Sequence, residues 1–321
     1  MIKYKVASLF AGIGGICRGF QKAGAEVIWA NEIDSYACKT YRKNFAHELI
    51  EEDIHKVKTN EVPDFDILTS GFPCQAFSIA GYRKGFNDER GNLFFETLRF
   101  IIDKQPKAFL LENVKNLVSH DKGKTFQIMT DALIENGYYI KYKVLNSMDY
   151  GNVPQNRERI YIVGFRNENA CKNFEFPDKI PLINRINDVI DKSVKQEDKY
   201  YYTEDSKYYN MLREAMVNIE SVYQLRRVYV RENKSGVCPT LTANMGTGGH
   251  NVPLIIDTHG IRKLTPKECF ALQGFADIKI PDGMSNGRLY KQAGNSVTVT
   301  VIERIAKNII NVLNKYDKNS L

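Results

Sequence analysis

The chain has 321 residues, 43% of them hydrophobic, with a net charge of +7 and a pI of about 8.9. This apolar content is enough for a buried core and excludes a globally disordered chain, while the basic excess favours a polyanionic partner. The six cysteines form no C-x-x-C pair, and no apolar run reaches membrane-spanning length. We therefore expect a cytoplasmic protein with free thiols and no membrane association.

Predicted strands and helices alternate through the first half of the chain. The predicted strands are 4–10, 27–31, 65–70, 108–112 and 160–165. The predicted helices are 16–23, 35–45, 93–104 and 125–136. This alternation indicates βαβ units, and so an α/β fold with a mostly parallel sheet and helices on both faces.

The alternation ends after about Pro181, and the composition changes. Residues 185–262 carry many tyrosines and basic side chains and include the turn-rich stretch 244–251. We therefore expect a small, mainly β or irregular domain over 185–285. The larger domain would be formed by 1–184 and 286–321.

Two helices are predicted near the C-terminus. The first spans 265–272, with Thr265 as its N-cap and Glu268 completing a capping box. The second spans 297–313, where apolar residues recur at helical spacing.

A glycine-rich motif, SLFAGIGG at residues 8–15, follows the first strand and opens the first helix. Glycines there let a ligand approach the backbone near a helix N-terminus. Glu32 lies at the end of the next strand, where an acidic residue typically binds ribose hydroxyls. The spacing differs from the G-x-G-x-x-G dinucleotide pattern. The motif predicts a nucleoside-containing cofactor, with a plain tight turn as the alternative.

Residues 71–78, GFPCQAFS, place Cys74 directly after a proline at the end of a buried strand. Open α/β folds hold their chemistry at that edge of the sheet. The alternative is a cysteine that is simply a small buried hydrophobe.

Four further motifs carry candidate polar groups, each with an ordinary alternative. Asp53-Ile54 would contact an adenine amino group or be a solvated loop acid. Glu112-Asn113-Val114 follows a buried strand, or caps a helix through Asn113. QNRER at 155–159 offers arginine forks for phosphate or a polarised carbonyl, or is a charged loop. GNSV at 294–297 is predicted at the start of the last helix, or is a plain turn and N-cap.

These motifs, in this order, resemble the cytosine-C5 DNA methyltransferases, and in particular bacterial members of type II restriction-modification systems. The matching pieces run from Phe10 to Val297: FAGIGG, NEID, DI, GFPCQAFS, ENV, QNRERIYIVGF, LTPKECFALQGF and YKQAGNSV. The resemblance implies a Rossmann-like S-adenosylmethionine-dependent methyltransferase fold plus a small target-recognition domain. It implies methyl transfer from S-adenosylmethionine to C5 of a flipped-out cytosine in double-stranded DNA, with S-adenosylhomocysteine as product and no metal.

The resemblance also implies roles for individual residues. Cys74 would be the nucleophile, Glu112 would contact cytosine N3 and its amino group, and Arg159 the base carbonyl. Arg157 would support the catalytic loop, placed at about 74–93, to which Gln75 belongs. The implied S-adenosylmethionine pocket is lined by Phe10, Gly12, Gly14, Gly15, Asn31, Glu32, Asp53, Ile54, Pro73, Leu93 and Asn295. Ala80 departs from relatives in which a serine helps to fill the space left by the flipped base.

Target recognition is expected in the small domain. Residues 224–234, QLRRVYVRENK, offer Arg226, Arg227, Arg231 and Lys234 for guanine edges and phosphates, or form a solvated basic strand. The stretch from Pro239, PTLTANMGTGGHN, resembles the recognition loop of relatives with short GC-containing targets, most closely those that read GC-N-GC. We expect a monomer whose functional pairing is with a restriction endonuclease.

Four other functions are less consistent with these motifs. An RNA (tRNA) cytosine-C5 methyltransferase is disfavoured by the variable segment after Tyr200. A catalytically inactive nucleic-acid-binding regulator is disfavoured because Cys74 and the cofactor glycines are retained. A nicotinamide oxidoreductase leaves PCQ, ENV and RER unexplained. A cysteine hydrolase needs a paired histidine, and none of the five histidines has a matching context.

Overall fold

The structure, a computed structural model, describes residues 3–73, 93–233, 235–247 and 251–316. The chain divides into two compact units. The first comprises 1–145, 158–178 and 302–321, and the second 146–157 and 179–301. Residues 146–157, 179–184 and 286–301, which the sequence assigned to the larger domain, belong to the second unit. Where target recognition resides stays a prediction.

A seven-stranded sheet forms the centre of the first unit. Its strands are β1 Lys5–Leu9, β2 Glu26–Glu32, β3 Glu48–Glu51, β4 Ile67–Ser70, β5 Ala108–Val114, β6 Tyr139–Asn146 and β8 Glu158–Phe165. The short strand β7, Gln155–Asn156, comes between β6 and β8 in the chain and belongs to the second unit. Their order is β3-β2-β1-β4-β5-β8-β6. Strands β1 to β5 pair in parallel, and β8 runs antiparallel to β5. The predicted mostly parallel sheet is confirmed.

The α-helices among the described residues belong to both units. They are α1 Gly15–Lys22, α2 Ser35–Asn44, α3 Leu93–Lys104, α4 Lys124–Glu135, α5 Ser147–Tyr150, α6 Glu168–Asn173, α7 Ile186–Val189, α8 Tyr209–Ala215, α9 Pro266–Ala271, α10 Asn286–Asn295 and α11 Val299–Tyr316. The predicted helices of the first half match α1 to α4 within about one residue at each end, in line with the usual uncertainty of helix ends. No helix in the described part of the chain is long and apolar enough to span a bilayer.

Buried aromatic and aliphatic side chains hold the first unit together. Trp29 of β2, Phe109 of β5 and Phe100 of α3 belong to one core cluster and are almost completely buried. Burying a side chain of this size contributes roughly 1.5–3 kcal/mol relative to leaving it exposed. The first unit therefore provides a rigid base for the loops that follow the strands.

The second unit contains a four-stranded antiparallel sheet in the order β10-β9-β12-β13. These strands are β9 Val222–Leu225, β10 Val230–Asn233, β12 Leu254–Asp257 and β13 Gly260–Lys263. A short strand between them, β11 Cys238–Pro239, pairs in parallel with β7. The predicted loss of the βαβ alternation in this part of the chain is confirmed.

A fully buried arginine connects this sheet to α9. The Arg262 guanidinium bonds Asp257 Oδ2 at 2.6 Å and both carboxylate oxygens of Glu268 at 2.7 and 2.9 Å. Glu268 also accepts the backbone N–H of Thr265, whose hydroxyl in turn accepts the Glu268 N–H. The predicted capping box is confirmed. Removing one partner would leave a buried charge unpaired, which is costly.

The GNSV block is not at the start of the last helix, so that prediction was wrong. Gly294 and Asn295 end α10, Ser296 is its extended C-cap, and α11 begins only at Val299. The apolar spacing of 297–313 suggested an earlier start. The extended backbone at Ser296 separates the two helices instead.

Candidate functional site

The turn after β1 has an unusual backbone. Phe10, Gly12 and Gly14 all have positive φ, at 52°, 57° and 88°. A left-handed conformation costs glycine little, but it is strained for phenylalanine, and such strain clusters at functional sites. Two backbone hydrogen bonds hold the turn, from Ala11 N to Asn31 O and from Gly14 N to Ala11 O.

The glycines of this turn face different surroundings. A Cβ at Gly14 would overlap the Phe45 ring, so this position is closed by packing. A Cβ at Gly12 would meet no described atom within 4 Å. Gly15 begins α1, so the open space lies beside a helix N-terminus. This geometry fits the close approach of a ligand to the backbone at Gly12.

Glu32 lies beside this open space. Its Oε2 accepts the Gly12 N–H at 2.7 Å, and its Oε1 accepts the N–H groups of Ile33 and Asp34 at 2.9 and 2.8 Å. Burial raises the pKa of the Glu32 carboxyl, while the three N–H donors oppose that shift. Oε2 accepts only one of these bonds and so retains acceptor capacity, which fits a ribose hydroxyl.

Asn31 lies near the end of β2, and Asp53 follows the neighbouring strand β3. The Asn31 amide donates to Ile50 O at 3.2 Å and Glu52 O at 2.8 Å, which fixes the segment before Asp53. Asp53 Oδ1 bonds both the backbone N–H and the ring Nδ1 of His55, and these contacts lower the Asp53 pKa. The charged acceptor is thus oriented by His55, which the sequence analysis did not select. Ile54 is buried in the core.

Affinity for S-adenosylmethionine should fall as the pH is lowered, and this decline should depend on Glu32. Because its pKa is raised, the carboxyl takes up a proton at a higher pH than an ordinary glutamate, and a protonated carboxyl is a weaker acceptor. Binding is therefore complete above the folded pKa and is lost as pH falls through it. Titration calorimetry between about pH 7 and pH 5 should show this decline in the wild type and a flatter profile in Glu32→Gln. Equal profiles would contradict the role of Glu32.

Glu112 and Arg159 form a second cluster in the first unit, at adjacent ends of β5 and β8. Arg159 Nε lies 3.2 Å from Glu112 Oε1, and both side chains are largely buried. A Cβ at Gly71, just after β4, would stand 3.7 Å from Glu112 Oε2. The structure therefore brings together an acid, a guanidinium and the start of the GFPC segment.

Asn113 holds the backbone at Phe72, shortly after β4. Its Nδ2 donates to Phe72 O at 2.9 Å, and its Oδ1 accepts the Val114 N–H at 2.8 Å. Asn113 is therefore not a helix N-cap, the alternative weighed above. Its position directly after Glu112, at the end of a buried strand, was the feature of the sequence that could have indicated this role. Pro73 is exposed, whereas Cys74 and Gln75 lie outside the described residues.

Three other predicted site residues lie in different surroundings. Leu93 begins α3 and packs against the core of the first unit. Asn295 is exposed at the end of α10 in the second unit. Arg157, also in the second unit, is almost completely buried and donates to the carbonyls of Leu241, Gly294 and Ser296.

The predicted DNA-contacting arginines lie around the β9–β10 hairpin. A turn joins the two strands, with the Arg226 N–H bonded to Tyr229 O at 2.8 Å. Arg226 Nη2 donates to Gln224 Oε1 at 2.9 Å, while Arg227 and Arg231 are exposed. Exposed Val228 and Tyr229 share this tip and were not selected from the sequence. Lys234 lies outside the described residues.

The described residues contain no group of three or more His, Cys, Asp or Glu side chains arranged to hold a metal ion.

All five described cysteines are buried, and burial raises their pKa values. Thiols of this kind are poor nucleophiles near neutral pH.

Fold and site together define a class of protein. A mostly parallel sheet with a glycine turn after β1 and an acid at the end of β2 is that of a Rossmann-like S-adenosylmethionine-dependent methyltransferase. Within this class, residues 4–311 match the sequence profile of the family described as C-5 cytosine-specific DNA methylase. The chain belongs to this family, and its activity is that of a DNA (cytosine-5-)-methyltransferase.

Individual relatives agree with this membership. The chain is 60% identical over 308 residues to the type II methyltransferase M.Bsp6I of Bacillus sp. (strain RFL6), covering 95% of this chain and 98% of the relative. It is 39% identical over 319 residues to the type II methyltransferase M.HhaI of Haemophilus parahaemolyticus, covering 95% and 94%.

A solved structure supports the fold. A variant of DNMT2 from Spodoptera frugiperda has a TM-score of 0.74 at 20% identity, over 96% of this chain and 100% of that one. At this level of identity the likeness concerns the fold alone.

Proposed function

We propose that this chain is the modification enzyme of a type II restriction-modification system, acting on a cytosine in a short GC-containing duplex site of the GC-N-GC kind. The observation that best supports the catalytic part is the buried Glu112–Arg159 pair beside Gly71. The relatives' names, type II methyltransferase, support the biological setting and the pairing with a restriction endonuclease. We further propose a monomer that uses no metal.

Cys74 is the nucleophile of this proposal. Asn113 holds the Phe72 carbonyl two residues before Cys74, which gives the chain a fixed starting point at that position. The other five thiols are buried, with raised pKa values, and so are unsuited to attack. A cationic, partly exposed environment would favour the thiolate that the reaction needs.

The reaction follows from the weakness of cytosine C5 as a nucleophile. The Cys74 thiolate adds to C6, and the ring electrons move so that C5 becomes enamine-like. Glu112 holds N3 and the amino group and stabilises the charge that develops there, while Arg159 donates to the carbonyl at C2. Arg159 is paired with Glu112, so the two groups hold each other in place.

S-adenosylmethionine, when bound, supplies the methyl group for C5. The C5 proton then leaves, and elimination of the thiolate restores the double bond and frees Cys74. This chemistry requires the base to be outside the stacked duplex. The buried position of Glu112 helps here, because a carboxyl shielded from water acts strongly on a base that enters the pocket.

Cofactor binding is proposed at the turn after β1. Glu32 would accept the ribose hydroxyls, Asp53 would accept the adenine amino group, and the open space at Gly12 would admit the ligand. Phe10 of this turn is partly buried and packs on the core of the first unit. A cofactor contact by Asn295 stays a prediction from the resemblance.

Bisulfite sequencing of DNA from cells that express the protein tests the function as a whole. We expect fully converted cytosines everywhere except at one short site, where one cytosine per strand is protected. DNA from cells that express Cys74→Ser is the control and should show no protected position. Protection spread over unrelated sequences, or found only in transfer RNA, would contradict the proposal.

A further inference from the structure

A buried glutamine links the QNRER motif to the segment predicted to read DNA. Gln155 is completely buried in β7, and β7 pairs with β11 in the register Cys238 to Gln155 and Pro239 to Asn156. The Cys238 N–H donates to Pro154 O at 2.7 Å. Residues 238–247, here termed the recognition segment, thus begin beside this motif.

Gln155 and Arg157 bind the backbone N–H and the backbone carbonyl of the same residue, Leu241. Gln155 Oε1 accepts the Leu241 N–H at 3.1 Å, and Arg157 Nη1 donates to the Leu241 carbonyl at 2.7 Å. One residue earlier, the Thr240 hydroxyl donates to Asn156 O at 2.6 Å. A slip of the recognition segment by one residue would break all three bonds and leave buried polar groups unpaired, which is expensive.

The other ends of these side chains are fixed as well. Gln155 Nε2 donates to Leu272 O at 2.7 Å, and Arg157 Nη2 reaches the carbonyls of Gly294 and Ser296 on either side of Asn295. A Cβ at Gly294 would overlap the Thr242 backbone, so the recognition segment lies directly against α10. Beyond Leu241, the side chains of Thr242, Asn244 and Thr247 are exposed.

We propose that Gln155 is a positioning residue for target recognition, because it sets the register in which the recognition segment presents its exposed side chains to DNA. This inference rests on the proposed function, in which the second unit chooses the target. Gln155 itself is buried and touches no DNA. Its effect passes through the backbone of Leu241, whose N–H it accepts and whose carbonyl accepts a hydrogen bond from Arg157.

The test compares Gln155→Met with a control variant, Tyr290→Phe. Tyr290 is also buried in the second unit, and its hydroxyl donates to Leu264 O at 2.6 Å rather than to Gln155 or the recognition segment. Both variants lose a buried hydrogen bond, so both should lower the melting temperature. Only Gln155→Met should raise KM for target duplex and reduce by about tenfold the preference for the target over single-base variants.

Affinity for S-adenosylmethionine, measured by calorimetry, should be unchanged in Gln155→Met. Wild-type levels of KM for DNA and of discrimination in this variant, with only the melting temperature lowered, would overturn the proposal. If Gln155→Met does not fold, Thr240→Val decides, because it removes the Thr240–Asn156 bond at a partly exposed position. It should relax discrimination, and unchanged discrimination would overturn the proposal. A wild-type enzyme that methylates no duplex DNA would contradict the proposed function instead.

Discussion

Replacing Cys74 by serine should abolish methyl transfer, with a loss on the order of 10⁴-fold or more, the scale seen when a covalent nucleophile is removed. A serine hydroxyl is far less ionised than a thiol at neutral pH and so adds poorly to C6. Transfer of tritiated methyl groups to a target duplex measures the effect. Binding of the duplex and the melting temperature should stay close to wild type.

The matched control is Cys171→Ala, which removes a buried thiol of the first unit that takes no part in the chemistry. It should retain activity. Wild-type enzyme should also form a covalent adduct with a duplex that carries 5-fluorocytosine, because fluorine cannot leave C5 as a proton does. Near-normal turnover by Cys74→Ser, or an adduct that maps to another cysteine, would refute the assignment of the nucleophile.

The fold of the first unit was largely predictable because its strands are buried on both faces. Runs such as Ala108–Leu111 are continuously apolar and buried, and α2 begins at a capping side chain, Asp34. The two missed strands are different. β3, Glu48–Glu51, is short and acidic and lacks the apolar signal on which strand prediction depends. β6, Tyr139–Asn146, is a partly buried edge strand in which Ile140, Tyr142 and Val144 alternate with lysines, a strand signal that the sequence analysis did not use.

The candidate site was predictable where a residue's type and its place at a strand end agreed. Glu32 and Glu112 both follow buried strands, and both are found beside the groups expected from the sequence. His55, Asn113 and Gln155 were missed because their importance lies in contacts across the fold. Asn113 binds a carbonyl 41 residues away, and Gln155 binds one 117 residues away. Spacing within a motif cannot reveal such partners.

The corrected position of the GNSV block shows the same limit. Apolar spacing alone placed a helix start near Val297, whereas Ser296 is the extended end of α10. Arg157 donates to the carbonyls on either side of Asn295, and both of these long-range bonds hold the block at that helix end. Contacts over more than 130 residues decide this local geometry, so the local sequence could not predict it.

Exchanging the variable segment should transfer the target site from one enzyme to another. The catalytic groups proposed here, Glu112 and Arg159 above all, lie in the first unit, whereas the exposed Arg227 and Arg231 lie in the second. Arginine reads guanine O6 and N7 better than any other side chain. A graft of residues 185–256 from the M.HhaI relative should therefore redirect methylation to that relative's site, as mapped by bisulfite sequencing.

The end of the graft is set by the buried charges of the second unit. Ending after Ile256 keeps Asp257, Arg262 and Glu268 together from this chain, because a mismatched partner would leave a buried charge unpaired. The Gln155 bond to residue 241 survives the exchange, since it is made to the backbone. Point variants refine the result within the native segment. Replacing an arginine that reads a base should cost about 1–3 kcal/mol and relax choice at one position, whereas replacing one that holds phosphate should weaken all duplexes alike. If the grafted enzyme still protects its original site, recognition lies outside residues 185–256 and the proposed division of labour is wrong.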